Sequence, residues 1–268
     1  ERGEADPASG AGPQGECGAG GLPAGSRARG LMKPAFSDAA RQNESPDPDR
    51  RAAHSAAAGL LDRWVETAAR LLHSAGTLTL INTSTYSGPT IVNGGTLSLA
   101  SVASAGADPN LGFAALSKST VTVNNGGRLE GNGSVAGLVV NAGGTLAPGE
   151  SVGAINTGDL SLSGAGATIA MEISGAGSSQ YDQVNVTGAV SLAGNGKIEI
   201  TLLSFVPQPS EIYFLIINDG SDAISGTLAG LSQGDTFSSG GYTWQVSYTG
   251  DSAGGTFTNG NDLAVQVV

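Results

Sequence analysis

A Gly-Thr-Leu or Gly-Gly-x-Leu step recurs along the chain, at Gly76-Thr77-Leu78, Gly94-Gly95-Thr96-Leu97, Gly126-Gly127-Arg128-Leu129 and Gly143-Gly144-Thr145-Leu146. Its leucines lie 19, 32 and 17 residues apart. A period of about twenty residues is too short for a domain and implies one small unit stacked on copies of itself. The long interval contains residues 101–119, whose Ala-Asp-Pro-Asn segment reads as an inserted loop.

The segments between the glycines alternate with period two, which is strand behaviour. Ile169, Met171 and Ile173 share one face and Thr168, Ala170 and Glu172 the other. Val184 and Val186 alternate with Gln183 and Asn185, and Ile198, Ile200 and Leu202 with Lys197, Glu199 and Thr201. Turn dipeptides punctuate these runs: Asn93-Gly94, Asn125-Gly126, Asn132-Gly133 and Asn195-Gly196. No helical periodicity separates the strands, so a βαβ layout fails. Between Leu129 and Leu146 a circuit of three short strands can be traced, over residues 128–130, 134–136 and 138–140. Three strands per turn predict an all-β fold, a right-handed single-stranded parallel β-helix (solenoid) of triangular cross-section, with inward side chains stacked in apolar ladders.

Composition divides the chain. Residues 1–75 hold nine of the twelve Lys and Arg, both histidines (His54 and His73) and the one cysteine, Cys17. From residue 76 onward three basic residues (Lys118, Arg128, Lys197) face thirteen acidic ones, giving 3 − 13 = −10. Residues 1–51 are rich in Gly, Ala, Pro and charge and read as disordered low-complexity sequence. Over residues 52–75, Leu60, Leu61, Trp64, Val65, Ala68, Leu71 and Leu72 recur at helical spacing, predicting an amphipathic helix and linker that docks on a neighbour, a partner or a membrane surface. Residues 76–206 are the parallel β-helix repeats. Residues 207–268 are aromatic-rich: IYFLII (212–217) reads as a strand buried on both faces, and YTWQVSY (242–248) as an alternating one. This block is expected to be an antiparallel C-terminal cap over the last open coil. An aromatic carbohydrate-binding face is the alternative for it.

The run GTLTLINTSTYSGPTIVNGGTLSL (residues 76–99) resembles the autotransporter-associated β-strand repeat, G-T-L-x-L followed by x-N-T-Y-x-G-x-T-x-V-x-x-G-T-L. Asn82, Tyr86, Gly88, Thr90, Val92, Gly95, Thr96 and Leu97 occupy the pattern positions. Residues 126–164 are similar to the segment that follows such repeats, and the likeness extends over residues 76–268. The resemblance implies a secreted or surface-displayed bacterial passenger or stalk region, extracellular or associated with the outer membrane. A full autotransporter would add a signal peptide and a C-terminal translocator barrel. Neither is visible in these residues, and the chain starts at Glu1 rather than Met, so a fragment is expected.

Chemistry is sparse. A net charge of −11 argues against nucleic acid, which needs clustered Lys and Arg. One cysteine allows no intrachain disulfide, and no apolar run approaches the ~20 residues of a membrane helix. Gly149-Glu150-Ser151-Val152-Gly153 formally matches the nucleophile elbow G-x-S-x-G, but both histidines lie upstream and a turn, not a helix, follows. Ser151 therefore reads as a corner residue. The glycine turns lack the Lys-Ser/Thr ending of a phosphate loop. His and Cys are absent after residue 76, so metal sites lack ligands, and the calcium nonapeptide is not matched. Four N-x-S/T sequons, at Asn43, Asn82, Asn132 and Asn185, are expected by chance in such a composition.

The expectation is a non-enzymatic structural or adhesive region, monomeric, with no catalytic residue, cofactor or metal site. Its partner would be a surface polysaccharide or a host or cell-surface ligand. The rival is a β-helical polysaccharide lyase or glycosidase, for which Glu130, Glu150, Asp159 and Glu172 are the candidate carboxylates and Arg128 the neighbouring base. Convergence of Glu130, Glu150 and Asp159 in a cleft beside Arg128 would weigh against the scaffold reading.

Overall fold

The computed structural model describes residues 71–81, 83–100 and 115–268. Their strands, numbered β1 to β17 in chain order, form two sheets. The larger contains β1 (Leu71–His73), β3 (Thr90–Val92), β5 (Ala115–Val123), β7 (Ser134–Val140), β9 (Ala154–Leu162), β11 (Gln183–Val186) and β14 (Ile212–Asn218), joined in that order and all parallel. It continues antiparallel through β17 (Asp262–Val267), β16 (Tyr242–Gly250) and β15 (Thr236–Ser239), and β12 (Val190–Ser191) pairs with β9. The smaller sheet is wholly parallel: β2 (Thr77–Leu80), β4 (Gly95–Leu99), β6 (Gly127–Gly131), β8 (Thr145–Pro148), β10 (Thr168–Ile173) and β13 (Lys197–Leu202).

This arrangement corrects the predicted single-stranded, triangular β-helix. The fold is all-β with parallel pairing, but it is built from two sheets, one mixed and one parallel. The physical reason lies in β7. The two short strands read over residues 134–136 and 138–140 are one strand, because Gly137 continues the backbone instead of turning a corner. Gly137 lacks the left-handed φ of the corner glycines, and a Cβ there would make only an ordinary 3.4 Å contact with the Thr120 hydroxyl on β5.

The repeated leucines are the core. Leu78, Leu97, Leu129, Leu146, Ile169 and Ile198 stand in direct register across the smaller sheet. The four interior members of this ladder are 0 % exposed. Val92, Val123, Val140 and Leu162 make the corresponding ladder on the larger sheet. Burying one such side chain stabilises by roughly 1.5–3 kcal/mol, so repetition of a single leucine position supplies much of the fold's driving force.

The corners between the sheets explain the glycines. Gly143 has φ of 72°, a left-handed conformation that glycine adopts without steric cost. At Gly144 a Cβ would approach the Val123 carbonyl oxygen to 2.5 Å. The corner asparagines stack as well. Asn124 Nδ2 donates to Asn93 Oδ1 (2.6 Å), and Asn141 Nδ2 donates to Asn124 Oδ1 (2.7 Å).

At the C-terminal end the aromatics turn inward. Tyr181, Tyr213 and Trp244 pack edge to face with ring centroids 5.3 and 5.6 Å apart, and the Trp244 Nε1 donates to the Ser239 carbonyl. Trp244 and Tyr213 are fully buried, and Phe214 and Tyr248 nearly so. These side chains form core, not an exposed stacking face for sugars. Ser239 Oγ also accepts from the Ile200 N–H on the outer edge of β13 (2.8 Å).

The expected disordered segment (residues 1–51) and most of the expected helix (52–75) lie outside the described residues. At the end of that helix, Leu71–His73 is instead a strand, paired with β3 through Leu72 and Ile91. Of the inserted loop read over residues 101–119, residues 101–114 lie outside the described set. Its last five residues open β5, with Leu116 opposite Val135.

Candidate functional site

Alternation within the parallel sheet sends every second side chain to its outer face. On β6 these are Arg128 and Glu130, flanking the inward Leu129. The equivalent outward residues are Ser98 on β4, Ala147 on β8, Ala170 and Glu172 on β10, and Thr201 on β13. Because Ala147 and Ala170 are small, the face is hollow at its centre. The turn Gly149-Glu150-Ser151 borders the hollow, and Asp182 reaches it from the entry to β11. The result is a concavity of about 430 Å³ lined by Arg128, Glu130, Glu150, Ser151, Glu172 and Asp182 with the small residues as floor.

Arg128 is committed in part: its Nε donates to Glu130 Oε2 at 2.9 Å, with both side chains partly exposed. Asp182 is the most constrained group. It is 1 % exposed, its Oδ1 accepts from the Gly153 N–H (2.8 Å) and its Oδ2 from the Glu172 N–H (2.8 Å). Burial pushes its carboxyl up to about 7; the two N–H donors and the Arg128 charge oppose this, and the Glu172 charge adds to it. With both oxygens held by backbone amides, Asp182 ties β10 to the turn preceding β9. A buried group so engaged is poorly placed to hand a proton to a substrate.

The structure brings Glu130, Glu150 and Glu172 to one concavity beside Arg128. It does not bring Asp159 there: that carboxylate belongs to the larger sheet, where its Oδ1 accepts from the Ala189 N–H (2.9 Å). Ser151 is exposed at the rim. His73, the histidine among the described residues, sits four strands away on β1, where its ring is hydrogen-bonded to the Gly76 carbonyl and burial lowers its pKa. Ser151 thus has no imidazole partner among the described residues. Nor do the described residues contain a group of three or more His, Cys, Asp or Glu side chains arranged to hold a metal ion. Of the sequons, Asn43 and Asn82 lie outside the described residues. Asn132 Oδ1 accepts from the Ala154 N–H, and Asn185 Nδ2 donates to Asn156 Oδ1.

Sequence reasoning missed Asp182. A signal existed: Asp182, Val184 and Val186 alternate on one face, and the two valines are buried, which places the acid on the inward side. Asp262 plays the same part at the other end of the molecule. It is 4 % exposed, and its two oxygens accept from the N–H groups of Asn218 and Ser252.

Among the described residues these features define an all-β stack whose smaller sheet carries an open, polar concavity on its outer face. No protein-family model and no curated protein sequence matches the chain.

Proposed function

We propose that this is a non-enzymatic structural or adhesive region of a secreted or surface-displayed bacterial protein of autotransporter type. It acts as a stiff spacer that presents polar faces to a surface polysaccharide or cell-surface ligand. The observation that carries the reading is the six-rung ladder from Leu78 to Ile198, because a core made of one repeated contact builds length and stiffness rather than an enclosed reaction site. The commitment of the most perturbed carboxyl, Asp182, to two backbone amides supports it. The motif resemblance of residues 76–99 supports the surface location.

A second reading, a polysaccharide lyase or glycosidase, is favoured by one observation: Glu130, Glu150 and Glu172 share the concavity with Arg128. The two readings part on turnover. Incubation of the chain with acidic and neutral polysaccharides should yield no unsaturated products and no new reducing ends. Turnover that disappears on Glu130→Gln or Glu150→Gln would overturn the scaffold reading. Retention on immobilised polysaccharide without turnover would extend it.

A further inference from the structure

Asp182 stands where one strand of the smaller sheet ends before its neighbour. β8 stops at Pro148 and pairs with β10 only through Thr168 and Ile169, whereas β10 runs on to Ile173. The Thr168 N–H points to that edge, where it bonds the Gly144 carbonyl, and by alternation Glu172 faces the same edge beyond the end of β8. Asp182 fills the missing rung. Its N–H donates to the Glu172 carbonyl (2.9 Å), and its Oδ2 accepts from the Glu172 N–H (2.8 Å). The other oxygen, Oδ1, accepts from the Gly153 N–H at the foot of the turn that carries Glu150 and Ser151. One carboxyl group thus joins β10, beneath the concavity, to the turn at its rim.

The two attachments differ in stiffness. β10 is held along its whole length by β13, with Thr168–Ile173 in register with Lys197–Leu202. The turn is anchored at its two ends, by the reciprocal Gly131 and Gly149 bonds and by the Gln183 N–H on the Gly153 carbonyl (2.9 Å). A turn between two such anchors opens at lower free energy than a paired strand. A carboxylate accepts both N–H bonds, but in a carboxylic acid one oxygen carries a proton and becomes a donor. Taking up a proton therefore removes buried charge and loses one of the two amides, and the turn is the partner that yields. The charged groups facing Asp182 are Arg128 and Glu130 on β6, Glu150 on the turn and Glu172 on β10; β13 contributes the uncharged Thr201. Tyr181 packs into the aromatic core against Tyr213. Burial favours the acid and Glu172 adds to it, the two amides and Arg128 favour the carboxylate, and the balance puts the change at about 7.

We propose that Asp182 is a proton-operated latch on the concavity: as a carboxylate it holds the turn of residues 149–153 to β10, and as an acid it releases the Gly153 amide and loosens the rim. The latch is a property of the chain itself and does not depend on the proposed ligand, so its test uses none. Amide shifts and exchange at Gly153 and Glu172 are followed by NMR on the unsubstituted full chain as pH is lowered through about 7. The Gly153 amide should shift with that midpoint, and its exchange, corrected for the intrinsic pH dependence, should quicken about tenfold on the acid side. Gly144, whose amide bonds the Asn141 carbonyl (2.9 Å), is the internal control. A Gly153 amide indifferent to pH across that window overturns the latch. So does one that changes only in step with Gly144, or one that stays protected while Glu172 is released. Asp182→Asn presents one acceptor and one donor, as the acid does, so in this variant Gly153 should exchange fast at every pH, with no midpoint. A midpoint that survives in Asp182→Asn assigns the transition to another group and overturns the proposal; the titration of the unsubstituted chain decides without the variant.

Discussion

Leu129 shows how much a single position in this chain carries. It stands between Leu97 and Leu146, 0 % exposed, so Leu129→Ala leaves a void that neither neighbour can fill. Large-to-small substitutions in such sites cost about 2–5 kcal/mol, and urea denaturation should show a loss in that range. Gly143→Ala should cost about 1–2 kcal/mol in the same assay, because φ of 72° strains any L side chain. Asp182 sets a pH dependence. Its folded-state carboxyl titrates at about 7 against an ordinary 3.8, so between those values the folded protein holds a proton that the unfolded chain releases. Its contribution to stability therefore falls as pH rises from 3.8 to about 7 and is level above. The thermal midpoint should decline across that window, and Asp182→Asn should remove that part of the slope.

At the scale of elements, two devices hold adjacent strands in register besides the backbone ladder. One is the asparagine stack at the corners. Asn124 both donates to Asn93 and accepts from Asn141, so Asn124→Ala breaks two side-chain hydrogen bonds at once. A partly exposed pair of this kind is worth about 1–2 kcal/mol in sum, which chemical denaturation would resolve. The other is the contact of the β15–β16 hairpin with β13. Ser239 satisfies the Ile200 N–H at 2.8 Å and, through its carbonyl, orients the Trp244 indole. Ser239→Ala removes only the first of these bonds. Exchange of the Ile200 amide should accelerate while Trp244 emission stays that of a buried indole. If the indole became exposed instead, the hydroxyl would be holding the hairpin itself.

At the largest scale, the described residues repeat one rung after another across the two sheets, and this shapes what their surface can do. Acidic residues are spread along the stack. Several are drawn into backbone contacts: Asp159 bonds Ala189, Asp182 bonds Gly153 and Glu172, and Asp262 bonds Asn218 and Ser252. Arg128 is the cation lining the concavity on the smaller sheet. An anionic polysaccharide held there should depend on this guanidinium, so Arg128→Ala should abolish retention and high salt should weaken it, since an exposed charge is screened.

Sequence periodicity by itself determined that the repeats from residue 76 onward are built of strands, that Leu78, Leu97, Leu129 and Leu146 are equivalent, and that glycine and asparagine mark the corners. These follow from local rules: side chains alternate along a strand, and tight corners need residues free of Cβ strain. Glu130 and Glu150 were legible as acids near turns. Their meeting beside Arg128 was not, because it depends on how adjacent circuits align. The inward seat of Asp182 was readable from its alternation with Val184 and Val186, although its amide partners, Gly153 and Glu172, come from other circuits. Only tertiary structure decided that a circuit has two sheets rather than three faces. At Gly137, where the sequence offered a corner, the backbone instead continues as one strand paired with Thr120 on β5 and Asp159 on β9.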